Sequence, residues 1–151
     1  TVKILFESEE LDVFQIPVNV MDQRHFKKET FSFSNQKKAA IFLRSVFLQG
    51  ILTMRNNKIP KILEALKPLH LRYSTLAEKA GITLKELSLR AMISSGASNV
   101  LIGNDSLNQL KENISIFNQG PLPNELMKTL TQNSEELDRR WVTPALWPSN
   151  A

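Results

Sequence analysis

The sequence contains no cysteine. Disulfides, thiolate metal centres and a cysteine nucleophile are therefore excluded. No apolar run approaches the roughly 18 residues that span a bilayer as a helix, so no membrane partner is expected. Glycine is scarce, with 5 residues. Neither GxGxxG nor the GxxxxGK loop occurs, which removes the two commonest phosphate-cradling fingerprints. The histidines, His25 and His70, lie far apart and outside any cluster of acids, so structural or surface roles are expected and no metal site. No serine has nucleophile-elbow surroundings, and the scattered acids form no visible catalytic carboxylate pair. Tyrosine occurs once, at Tyr73.

What remains describes one ordinary globular domain. A length of 151 residues suits a single domain, and the hydrophobic share of 42% against 23% charged separates it from disordered chains. The net charge of +4 is modest, and its basic pairs (Lys27-Lys28, Lys37-Lys38, Arg139-Arg140) are interleaved with acids. That pattern reads as solvated surface, so nucleic acid is disfavoured as a partner. The opening TVKILFESEE lacks the form of a signal peptide. Thr1 stands where an initiating Met would be, as in a processed, cleaved or excerpted chain. A reducing cytoplasm is the expected location.

The hydrophobic pattern alternates between strand and helix. Residues 2–9 have helical spacing. Leu11 to Asn19 reads as a buried strand ending near Pro17, with Gln15 as a polar lining residue. Residues 29–38 are weakly helical, and Ala39 to Leu43 reads as a second buried strand leading to Gly50. Pro60 suits a helix start before Ile62, Leu63 and Leu66. Thr75 with Glu78, and Thr83 with Glu86, have capping-box spacing, and Gly81 between them suits a helix end. Asn99 to Gly103 reads as a third strand. Ser106 then caps a helix carrying Leu107, Leu110 and Ile114 on one face, and Pro121 to Leu130 reads as another. Residues 141–151 read as an extended tail. Strands separated by helices imply parallel pairing and an α/β fold, and three strands suggest an incomplete larger sheet.

Two functions fit these elements. Residues 74–90 have the helix–glycine turn–helix spacing of a DNA reader. The start of the second helix, however, offers only Thr83, Leu84, Lys85 and Glu86, poor material for base edges and phosphates. The strand ends are more informative. Gln15, Arg44-Ser45 and Gly103-Asn104 stand where parallel α/β folds build their sites, and Ser106 opens a helix whose amides favour an anion. A nucleotide or phosphate site is the better expectation.

The blocks DVFQIPVN, FLRSVFLQGILTM, LAEKAGITLKELSLRAMI, VLIGNDSLNQLKENI and GPLPNELM, taken in order, resemble the C-terminal portion of the aldo/keto reductase family. The strongest is IGxxxxxQLxEN, from Ile102-Gly103 to Glu112-Asn113. The resemblance covers nearly the whole chain. It implies a partial TIM (β/α)8 barrel over residues 1–151, with strands six to eight and their outer helices. It implies NADP or NAD as cofactor and hydride transfer to a small carbonyl substrate in the intact enzyme.

By the same resemblance, Gln15 meets the nicotinamide carboxamide and Arg44 takes the place of a ring-stacking aromatic. Ser45, Phe47 and Gln49 lie near the pyrophosphate. Gly103, Asn104, Asp105 and Gln109 surround the adenosine ribose or its 2′-phosphate, and Glu112-Asn113 holds adenine. Positions 103 and 109, often basic in NADP-preferring members, are Gly and Gln here, so the choice of cofactor stays open. The family's Asp-Tyr-Lys-His tetrad belongs to the first half of the barrel and is matched by no residue here. This chain is thus expected to be a fragment or truncated form, inactive alone and with open strand edges suited to self-association. A non-catalytic binding module related to the family is the alternative within the resemblance.

Overall fold

Parallel strands form the centre of the molecule. In the computed structural model, which describes residues 11–24, 39–132 and 137–148, strand β1 (Val13–Pro17) pairs in parallel with β2 (Ala40–Arg44) from Val13 opposite Ala40 to Pro17 opposite Arg44. Strand β3 (Asn99–Val100) pairs in parallel with the other side of β2, giving the order β1-β2-β3. The helical expectations for residues 2–9 and 29–38, and for the surroundings of His25, fall outside the described residues.

The strands are not buried on both faces as the apolar runs suggest. Phe14 and Ile16 of β1 and Ile41 and Leu43 of β2 are buried in one core with Leu69, Tyr73, Leu87 and Met92. Val13, Gln15 and Arg44 point the other way and are exposed. Period-two alternation separates the two sets. β3 is also shorter than the expected 99–103 strand. Beyond Val100 one further ladder bond, from Leu101 N to Leu43 O at 2.8 Å, carries the chain along β2.

The outer layer begins with a 3-10 turn, Lys61–Leu66, behind Pro60, which runs directly into α1 (Lys67–Lys79). Thr75 therefore lies inside a helix and does not cap one. Leu69, Tyr73 and Ala77 recur every four residues on the buried face, so the apolar stripe carries the helix through the local cap signal. Gly81, at φ 70°, ends the helix as its spacing implies. The next helix, α2 (Leu84–Ile93), has the expected capping box: Thr83 Oγ1 accepts from Glu86 N at 3.1 Å, and Glu86 Oε2 accepts from Thr83 N at 2.8 Å.

Helix α3 (Leu107–Asn118) starts at Ser106, whose hydroxyl accepts from Gln109 N. Its leucine stripe is exposed rather than packed, with Leu107 at 64% and Ile114 at 50%. Arg90 of α2 clamps the far end of α3, donating to Gly120 O, Pro121 O and Gln119 Oε1, each at 3.1 Å. Helix α4 (Asn124–Gln132) starts later than Pro121. The stretch expected to be extended turns twice: Trp141 and Val142 lie in α5 (Arg139–Val142), and Pro144–Leu146 forms a 3-10 turn. Trp147 Nε1 donates to Trp141 O at 3.0 Å, which folds the segment back on itself.

Candidate functional site

A cleft of about 600 Å³ opens beyond the carboxyl ends of β2 and β3. One wall is the turn from Ser45 to Gly50. The other is Leu101 to Gly103 with the first turns of α3, and Lys85 of α2 reaches in from the side.

The turn is built from unusual backbone. Ser45, Leu48, Gln49 and Gly50 all have positive φ, at 62°, 45°, 52° and 86°. A left-handed conformation costs a non-glycine residue about 1–2 kcal/mol. Leu48 is fully buried, and burying a leucine is worth about 1.5–3 kcal/mol, enough to hold the conformation. Hydrogen bonds from Leu48 N to Ser45 O (2.9 Å) and from Thr53 N to Gly50 O (2.9 Å) close it. The result is a stiff, tightly wound wall presenting Ser45, Phe47 and Gln49 to the cleft.

The opposite wall is wired through side chains. Asp105 N donates to Gln109 Oε1 at 2.8 Å, and Gln109 N donates to Ser106 Oγ at 3.2 Å. Asn113, 6% exposed, donates from Nδ2 to Asn104 Oδ1 at 2.7 Å, while its own Oδ1 is buried without a hydrogen-bond partner. Lys85 Nζ lies 2.7 Å from Glu112 Oε2 and 5.9 Å from the centre of the Phe47 ring. Gly103 presents open space where a side chain would start.

The residues singled out from the sequence are largely brought together here. Ser45, Phe47, Gln49, Gly103, Asp105, Gln109, Glu112 and Asn113 line the cleft. Asn104 is exposed and outside the lining, accepting from Asn113 Nδ2. Gln15 and Arg44 are not in its lining: both lie on the exposed face of the sheet, with Arg44 Nη1 donating to Ser45 Oγ at 3.3 Å. Gln15 is therefore not the buried polar residue its apolar neighbours suggest. Lys85 was missed as a lining residue, since nothing in its local spacing points to a helix 27 residues away.

The same lysine bears on the DNA reading. The helix–turn–helix is real, but Lys85 is held by Glu112, with its side chain only 13% exposed. Glu86 is committed to the cap and accepts from Gln119 Nε2 at 3.3 Å. The charged side chains at the start of α2 are thus committed within the protein.

The other polar centres are structural. Tyr73 is buried on α1, and its hydroxyl accepts from Gln23 Nε2 at 3.0 Å. His70 is buried, donating from Nε2 to Met54 O at 3.2 Å and accepting at Nδ1 from Asn56. Burial holds its pKa below the ordinary 6.5, opposed by the carbonyls of Met54 and Ile51. Among the described residues no group of three His, Asp or Glu could hold a metal ion, and no helix is long and apolar enough to cross a membrane.

Comparison with known proteins agrees with this architecture. The model of the aldo/keto reductase family matches residues 7–135. Among solved structures, an aldo-keto reductase from Bacillus halodurans in its holo form aligns with a TM-score of 0.68 and 16% identity, over 93% of this chain and 49% of that one. A glycerol dehydrogenase from Gluconobacter oxydans aligns with a TM-score of 0.64 and 18% identity, over 84% of this chain and 45% of that one. At these identities the likeness concerns the fold, a partial TIM barrel, and the chain spans about half the length of either structure. No curated protein sequence gives a significant match.

Proposed function

Since the chain belongs to the aldo/keto reductase family, we propose that its cleft binds the nucleotide of NADP or NAD and serves an oxidoreductase acting on a small carbonyl substrate. The observation that carries this is Asn113. The residue lines the cleft, its Oδ1 is a buried acceptor without a partner, and an unsatisfied buried polar atom costs about 1–3 kcal/mol. The exocyclic amine of adenine is a donor suited to it.

In this reading Ser45, Phe47 and Gln49 bind the pyrophosphate, and Glu112 and Asn113 bind adenine. Gly103, Asn104, Asp105 and Gln109 surround the adenosine ribose. Gln15 and Arg44, on the open face of the sheet, take the nicotinamide end. When bound, the cofactor supplies the hydride; the chain's own residues bind and orient it. The proton-donating tetrad is assigned to strands this chain does not contribute, so the chain alone reduces no carbonyl. The exposed strand edges and the α3 stripe make self-association part of the same reading. A cytoplasmic location accords with the cysteine-free sequence. The alternative, a binding module without chemistry, shares the cleft and differs only in turnover.

The reading is tested by following the fluorescence of NADH and NADPH as the chain is titrated. A saturable response to at least one is expected. Absence of a response to both overturns the proposal.

A further inference from the structure

The charges of the cleft bear on which dinucleotide it accepts. Among its described lining residues Lys85 carries the only positive charge, against the carboxylates of Asp105 and Glu112. Lys85 is already spent: its ammonium sits 2.7 Å from Glu112 and over the ring of Phe47, with its side chain 13% exposed. Asp105 is left as uncompensated negative charge on the wall. Arg44 stands outside the lining and donates to Ser45.

Two neutral backbone donors beside Asp105 are also taken. Asp105 N–H donates to Gln109 Oε1, and Gln109 N–H donates to Ser106 Oγ. At the entrance to α3, a natural anion site in other settings, the side chains of Ser106 and Gln109 thus already occupy two of the backbone amides. A phosphate monoester needs charge-assisted donors to replace its hydration. A ribose hydroxyl needs only an acceptor, and an acidic side chain is the usual one.

We infer that the cleft selects the dinucleotide without a 2′-phosphate, NAD over NADP, and that Asp105 together with the Lys85–Glu112 pair enforces the choice. The inference rests on the cofactor reading above. Asp105 accepts from the ribose diol, and Glu112 prevents Lys85 from serving a third phosphate.

Equilibrium titration of the chain with NADH and NADPH, repeated with 5′-AMP and 2′,5′-ADP as competitors, tests it. NADH is expected to bind at least tenfold more tightly, a difference of about 1.4 kcal/mol, and 5′-AMP to outcompete 2′,5′-ADP. In the double variant Asp105→Asn, Glu112→Gln the lysine is released, and the ratio is expected to fall at least tenfold. Far-UV circular dichroism checks that the variant is folded, and the single variant Asp105→Asn gives a second, milder readout. NADPH binding as tightly as NADH overturns the inference and leaves the cofactor reading intact. A preference for NADH that neither folded variant alters overturns the assignment to these residues. If neither dinucleotide binds, the cofactor reading itself has failed, and the inference falls with it.

Discussion

Asn113 grips Asn104 across the mouth of α3, its Nδ2 donating to the Asn104 Oδ1 at 2.7 Å, and this bond fixes which end of the Asn113 amide faces inward. With the nitrogen committed, the oxygen is the atom left buried and unpaired. The arrangement leaves an acceptor of fixed direction on a residue that lines the cleft, at the cost of an unsatisfied group.

Asn113→Ala removes both atoms. It is expected to weaken binding of the preferred reduced dinucleotide at least tenfold, while relief of the unpaired oxygen limits the loss of stability to about 1 kcal/mol. Titration and urea unfolding of the same preparation measure the two effects. Unchanged affinity would remove Asn113 from the site.

The wound turn can be probed through its glycine. A Cβ at Gly50 meets nothing closer than Thr53 Oγ1 at 3.9 Å, so space is available, but φ is 86°. Gly50→Ala is therefore expected to destabilise the chain by about 1 kcal/mol through backbone strain alone. Gln49→Gly, at φ 52°, is expected to be neutral or slightly stabilising. Urea midpoints test both, and a stabilising Gly50→Ala would contradict the turn geometry.

His70 has a distinct pH signature. Burial keeps the folded-state pKa below 6.5, so the unfolded chain takes up the proton first. The stability associated with the neutral imidazole is complete above about pH 6.5 and declines as pH falls through the window below it. The His70 Cε1 proton followed by NMR should titrate below the ordinary value. Titration at or above 6.5 would show the ring to be solvated.

The capping box of α2 yields the opposite kind of control. Thr83→Ala is expected to cost about 1 kcal/mol by leaving a helix donor without its acceptor. The pKa of Glu86 is held below its ordinary 4.5, first by the Thr83 amide and against burial, with lesser help from the Thr83 and Gln119 side chains and Arg90. Its contribution is therefore complete above pH 4.5 and lost as pH falls through the lower folded-state value. The stability difference between the native chain and Glu86→Gln should shrink in acid. A difference that persists at pH 2 would refute the carboxylate's role.

How much of this could be read beforehand depended on range. Thr83 with Glu86, Ser106 with Gln109, and Gly81 after α1 are contacts within four residues, and each stands as its spacing implies. Strands β1 and β2 followed from apolar runs with β-forming residues. Thr75 misled for the same reason that the others succeeded: a local cap signal is weak, and the buried stripe Leu69–Tyr73–Ala77 outweighs it. The left-handed residues Ser45, Leu48 and Gln49 carry no glycine signal. Their conformation is held by the burial of Leu48, which is a tertiary fact.

By itself the sequence determined the alternation of strand and helix, the helix ends at Gly81, Thr83 and Ser106, the family blocks and the residues at the strand ends, because these depend on period and on neighbours a few positions apart. Only the tertiary structure decided that Gln15 and Arg44 lie on the open sheet face while most of the other candidates share a cleft. It also decided that Lys85 belongs to that cleft, paired with Glu112 27 residues further along the chain. Ion pairing at such a separation is created by the packing of α2 against α3, and no local pattern encodes which side chains that packing will bring within 3 Å.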